Sequence, residues 1–167
     1  MKSNGSVYVS VVIAVLVGYF TYQWWFNPNR VIKRRLGELA ATLTVPATDA
    51  EVGRVTRAAR LRHFFTEEVH VTVGTARPSL TSRDAIIGAV TAWTPPPGGV
   101  NVDFVDLQVN VESASTARVY LTVEVTSHDA RTGEATFDSR DATVVLVREG
   151  DDWVISEATV KDPPKTP

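Results

Sequence analysis

The sequence predicts an α+β domain carried behind one N-terminal transmembrane helix. Three observations predict it. An uncharged apolar run, Val7 to Phe26, opens the chain. Apolar residues at helical spacing follow as far as Phe65, and from Val100 onward the pattern changes to the period of two that belongs to long strands. Helices first and a run of strands last is an α+β order, not a βαβ alternation.

The apolar run has the length of a membrane span. About twenty helical residues rising about 1.5 Å each cross the hydrocarbon core of a bilayer. The run ends in Tyr22, Trp24 and Trp25, rings that favour the membrane–water boundary. A cleaved secretory signal would be shorter and would end in small residues, whereas bulky side chains stand at Gln23 to Phe26. Residues 1–6 are therefore read as a short tail and residues 7–26 as an anchor in the lipid bilayer, which makes the chain single-pass.

Composition limits the range of folds and partners. Of the 167 residues, 44% are hydrophobic and 22% charged, so the part beyond the anchor is long and apolar enough for one globular domain. There is no cysteine, which excludes disulfides, thiolate chemistry and zinc–cysteine sites. The net charge of −2 hides a split: residues 27–63 carry a balance of +5 and residues 64–167 one of −8. A basic membrane-proximal part suits an anionic lipid surface. The acidic distal part argues against nucleic acid as a partner.

Asn27-Pro28 opens the first helix, with Asn as the cap and Pro in the first turn, where its missing N–H is harmless. Ile32, Leu36, Leu39, Ala40 and Leu43 form its apolar face, and Val45-Pro46-Ala47 ends it. Thr48-Asp49-Ala50-Glu51 has the spacing of a capping box. In the next helix, Val52, Val55, Ala58, Ala59, Leu61 and Phe65 are expected inward and Arg54, Arg57 and Arg60 outward. Val69 to Val73 alternates as a strand, and Ser82 caps a short helix carrying Ile86, Val90 and Trp93. The run Thr94 to Gly99, with three prolines, breaks the chain.

The long strands begin at Val100. Apolar residues hold even positions at Val100, Val102 and Phe104, then odd ones at Val105, Leu107, Val109 and Val111. That change of phase predicts an extra residue, a β-bulge, near Phe104-Val105. After a turn at Ser113 to Ser115, Ala117, Val119, Leu121, Val123 and Val125 share one face of the next strand, with Tyr120, Thr122 and Glu124 on the other. Strands over Ala135–Arg148 and Trp153–Lys161 complete the domain, which spans residues 27–161 and leaves 162–167 as a disordered tail.

This order of elements resembles the nuclear transport factor 2-like superfamily, whose curved sheet wraps around helices as a cone. The residues that carry the likeness are Leu61 to Val73, Ser82-Arg83-Asp84-Ala85-Ile86 and the closing hairpin Arg148-Glu149-Gly150-Asp151-Asp152-Trp153-Val154-Ile155. The resemblance implies a cavity between sheet and helices and a homodimer packed through the open sheet face. It includes scaffolds, SnoaL-like cyclases and ketosteroid-isomerase-like enzymes that use a carboxylate with Tyr or His support, and membrane-tethered bacterial domains. It therefore places the chain in a bacterial inner membrane. The short positive tail and those similar domains favour a periplasmic domain. Arg30, Lys33, Arg34 and Arg35, taken literally by the positive-inside rule, favour the cytoplasmic side.

Candidate chemistry is sparse. Tyr120, Glu124 and His70 are the candidate catalytic residues, since a Tyr hydroxyl can donate to an oxyanion and a desolvated carboxylate or imidazole can take a proton. Trp93, Phe104 and Phe137 are candidates to line an apolar ligand cavity. His63, Glu67, Glu68 and His70 are the nearest approach to a metal cluster, but they span a helix end, a turn and a strand, so no metal is assigned. Asp138, Arg140 and Asp141 form a further polar group, read most simply as an exposed strand. No nucleophile elbow, phosphate loop or dinucleotide fingerprint is present, and no cofactor is expected. The reading is a membrane-anchored, non-catalytic binding or assembly module, a homodimer or the partner of another membrane or envelope protein. The alternative is an acid–base enzyme acting on an apolar small molecule.

Overall fold

In a computed structural model, which describes residues 11–19, 27–48, 51–75 and 78–162, Asn27 starts the first helix of the domain as its capping residues dictate. Its side-chain oxygen accepts from the Asn29 N–H at 3.0 Å, and Pro28 occupies the first turn. Helix α1 runs Pro28–Leu43 and buries Ile32, Leu36, Leu39 and Ala40, one stripe at i, i+4, i+7 and i+8. Thr44 stops it and ties it to the sheet. Its hydroxyl donates to the Ala40 carbonyl at 3.1 Å and accepts from the Val102 N–H at 3.1 Å.

Helix α2 spans Glu51–Leu61 and tightens into a 3₁₀ turn over Arg62–Phe64. Its apolar face differs from the sequence expectation. Val55 is 66% exposed, and Arg54 and Arg57 are half-buried beside Leu43, Val45, Val90 and Trp93. The helix is anchored in the core through its C-terminal end, by Leu61 and then Phe64, while arginine stems cover the apolar surface along its length. The capping box falls partly on residues 49–50, outside the described residues.

Strand β1 covers Phe65–Val73 and starts four residues before the alternating segment, because its first part carries an irregularity between Phe65 and His70. Helix α3, Arg83–Ala92, is capped by Ser82, whose hydroxyl accepts from the Ala85 N–H at 3.1 Å. Two ion pairs fix its start: Arg62 to Asp84 at 2.7 Å and Arg83 to Glu67 at 3.2 Å. Strands β2 (Val100–Val111), β3 (Thr116–His128), β4 (Ala135–Glu149) and β5 (Asp152–Val160) come next as hairpins.

The sheet order is β1-β5-β4-β3-β2, parallel only between β1 and β5. The helices pack on one face of this curved sheet, giving the cone expected of the superfamily. Ile32, Leu36, Leu61, Val69, Val119 and Leu146 fill its apex and are almost wholly buried.

The bulge in β2 is present but sits further along than its sequence signal. Val105 pairs with Thr122 on the outer face, so it does not begin the second inward phase. Asp106 and Leu107 together oppose Leu121, and Asp106 takes the left-handed backbone with φ 54° that lets the strand bend.

At the N-terminus residues 11–19 are helical and their side chains exposed, while the remainder of the apolar run 7–26 lies outside the described residues. Among the described residues no helix is long and apolar enough to cross a membrane. At the other end, Asp162 is held rather than loose. Its carboxylate accepts from the Thr75 N–H at 2.9 Å and the Thr75 hydroxyl at 2.8 Å. Residues 163–167 of the expected disordered tail lie outside the described residues.

Candidate functional site

Strand alternation decides which candidates face the helices. Ala117, Val119 and Leu121 of β3 point into the core, opposite Ala142, Val144 and Leu146 of β4. Tyr120, Thr122 and Glu124 therefore stand on the outer face, with Thr143, Asp141 and Ser139 beside them. His70 lies on the same outer face, paired with Glu157 at the far edge of the sheet.

The three candidate catalytic residues thus share a face but do not converge. Three strand spacings, about 14 Å, separate the strand of His70 from that of Tyr120. Four residues of one strand, about 13 Å, separate Tyr120 from Glu124. That face looks away from the helices, so it supplies none of the desolvation an acid–base pair needs. The His70 Nδ1–H donates to the Glu68 carbonyl at 3.2 Å, a local contact within β1.

The aromatic candidates separate as well. Phe104 is half-buried against the core and lines a groove of about 400 Å³ between α1 and β2, with Lys33, Gly37 and Leu107. Trp93, 45% exposed, ends α3 and covers a pocket of about 60 Å³ against Val90 and Leu43. Phe137 is 60% exposed and pairs with Thr126 on the outer face, so it does not line the interior. The three do not bound a common cavity.

The residues considered for a metal are also apart. Glu67 is engaged with Arg83, His63 lies in the 3₁₀ turn against α1, and His70 is on the outer sheet face. Among the described residues no group of His, Asp and Glu is arranged to hold a metal ion.

Asp138 and Arg140 are placed differently from the exposed strand expected of them. Their partners across the hairpin are Val125 and Val123, which puts them on the concave side of the sheet, near its open end. The Arg140 Nε donates to Asp138 Oδ2 at 2.9 Å, and both side chains are partly covered. Just beyond, Asp162 titrates below its ordinary range. The Thr75 hydroxyl is the main cause, followed by the Thr75 N–H, with the Arg140 charge adding to both. Asp141 is on the outer face and belongs to neither group.

What the sequence did not single out is the continuous outer row Thr72–Thr159–Thr143–Tyr120–Gln108, which crosses all five strands. β-branched threonine at alternating outward positions was the available signal. This row is uncovered by any helix and carries a half-exposed tyrosine on its fourth strand.

Comparison with known proteins agrees with the architecture. A sequence model of the SnoaL-like domain matches residues 50–159. No curated protein matches the chain. Among solved structures, the chain is similar to a nuclear-transport-factor-2-like protein with a cystatin-like fold from Novosphingobium aromaticivorans. The two have a TM-score of 0.68 and 12% identity, with 90% of this chain and 92% of that one covered. It is similar to a protein of the same organism provisionally assigned as a scytalone dehydratase, with a TM-score of 0.61, 14% identity, and 78% and 80% of the two chains covered. ActVI-ORFA from Streptomyces coelicolor gives a TM-score of 0.63 at 16% identity, over 78% of this chain and 93% of that one. At such identities the likeness speaks for the fold alone.

Proposed function

The chain belongs to the SnoaL-like domain family, and on that footing we propose that it is a non-catalytic contact module, anchored in a bacterial inner membrane by residues 7–26. The domain pairs with a second copy through the outer face of the sheet. The observation that carries the reading is that uncovered face, where Tyr120 stands 49% exposed in a five-strand row, between Thr143 and Gln108. Exposed aromatics on an uncovered sheet face are typical anchors of protein contacts. The spread of His70, Tyr120 and Glu124 over that face supports a reading in which they are not a general acid–base set. The apolar run supports the anchor by its length, its lack of charge and its terminal aromatic residues.

Native mass spectrometry of the full chain released from detergent micelles tests this. A dimer that retains no small molecule supports the contact module. A monomer carrying a bound apolar compound would sink it.

One observation favours a second reading, an enzyme of the SnoaL-like type. Asp138 and Arg140 are the charged pair on the concave side, where that family holds its ligands. One similar structure carries the provisional name of a dehydratase, a reaction that needs a base for one proton and an acid at the departing hydroxyl. Loss of turnover of an apolar hydroxylated substrate in Asp138→Asn, with folding retained, would establish it.

A further inference from the structure

Helices α1 and α2 lie side by side, and between them runs a cleft of about 480 Å³ lined by Arg35, Glu38, Thr42, Arg60, His63 and Phe64. It is on the helical side of the cone, remote from the outer sheet face and from Asp138 and Arg140. Arg35, Glu38 and Thr42 stand on one flank of α1 at i, i+3 and i+7. Arg60 and His63 come from the end of α2, again three residues apart. A second groove of about 340 Å³ continues from it past Thr42, Thr56 and Arg57, sharing Arg60.

The donors in this cleft exceed the acceptors. Arg35 gives one guanidinium nitrogen to the His63 carbonyl and stands 3.6 Å from Glu38 with another, and each of these two nitrogens carries a second N–H. Arg60 is exposed and makes no ion pair among the described residues. Glu38 is the one carboxylate lining the cleft, set against two arginines and a histidine.

We propose that this cleft is a binding site for a phosphate group, held between the Arg35 and Arg60 guanidinium groups with the His63 ring beside them, while the Thr42 hydroxyl lines the cleft with its proton given to the Glu38 carbonyl. Guanidinium forks match the oxygen geometry of phosphate, and charge-assisted hydrogen bonds of this kind are the strong ones. The Phe64 ring is almost wholly buried beneath Arg35 and holds that guanidinium in place at the cleft wall. The group has two sources, a soluble phosphate ester or the headgroup of an anionic phospholipid. The second is within reach because Arg35 lies only seven residues, about 10 Å of helix, beyond the first residue of α1. The site uses no residue of the sheet and so does not depend on pairing through it, whereas the phospholipid source rests on the proposed membrane anchor.

The test follows the arginine Nε–H signals of the full ¹⁵N-labelled chain by NMR in uncharged maltoside micelles. One arm adds inorganic phosphate, and the other dopes the micelles with a short-chain phosphatidylglycerol, with sodium chloride at matched ionic strength as reference. Saturable shifts of the Arg35 and Arg60 signals are expected in at least one arm, and the arm that responds identifies the source. Arg60→Gln, an exposed change whose folding the dispersed spectrum verifies, is expected to weaken the response about tenfold or more. No saturable shift in either arm, the same shift with chloride, or an undiminished response in Arg60→Gln would overturn the proposal.

Discussion

Arg35 lays its guanidinium 4.4 Å above the centre of the Phe64 ring and donates a hydrogen bond to the carbonyl oxygen of His63. One side chain of α1 thereby clamps the turn that leads into β1. Cation–π and charged hydrogen-bond contributions at a partly covered site each amount to about 1 kcal/mol. Arg35→Met keeps an apolar stem and loses both, so a loss of about 1–2 kcal/mol is expected in chemical denaturation.

Leu146 is fully buried near the C-terminal end of β4, between Ala117 of β3 and Ile155 of β5. Leu146→Ala removes apolar contact and leaves a cavity that the paired strands cannot close. The expected destabilisation is about 2–5 kcal/mol, read from the shift of the denaturation midpoint at constant slope. Val55→Ala, at an exposed position, is expected to stay within about 0.5 kcal/mol.

The Thr75–Asp162 contact gives an acid-sensitive latch at the ends of β1 and β5. The folded-state pKa of Asp162 is held below the ordinary 3.8, chiefly by the Thr75 hydroxyl and N–H. Its contribution to stability is therefore present above pH 3.8 and is lost as the pH falls from there through the folded value. Asp162→Asn is expected to flatten that acid limb in a series of denaturation curves. An unchanged limb would show that the contact does not persist in solution. Gly74 supports the latch with φ 62°, and a Cβ there would strike the Asp162 carboxylate, so Gly74→Ala should disrupt the same contact.

His70 and Glu124 are solvent-facing on the outer sheet and touch no common group. His70→Ala and Glu124→Ala are expected to change stability by about 0.5 kcal/mol or less and to leave any turnover unaffected. A turnover-deficient but folded variant at either position would revive them as catalytic groups.

The order of elements was legible because period-2 and period-3.6 patterns are strong wherever one face alone is buried. β3 shows it: Ala117, Val119 and Leu121 are inward and Tyr120 outward, as their alternation requires. The bulge was placed early because Val105 is apolar yet outward, and hydrophobicity alone cannot separate a half-covered outer valine from a core one. The α2 face departs from its apolar periodicity for a related reason, since the stems of Arg54 and Arg57 cover apolar surface while Val55 is exposed. The candidate sites were the least legible part. Asp138 and Arg140 lie on the concave side only because their register with Val125 and Val123 puts them there. Arg35 and Arg60 line one cleft only because α1 and α2 fold back on each other. Neither relation is written within a single segment of the chain.

The central claim, pairing through the outer sheet face, is tested most directly by crosslinking, which the absence of native cysteine makes clean. Thr122→Cys places one thiol at the middle of that face, and Lys33→Cys places one on the helical side. In membranes containing the full chain, a bismaleimide is expected to give a covalent dimer with Thr122→Cys and none with Lys33→Cys. No dimer at position 122, or equal yields at both positions, would contradict the account.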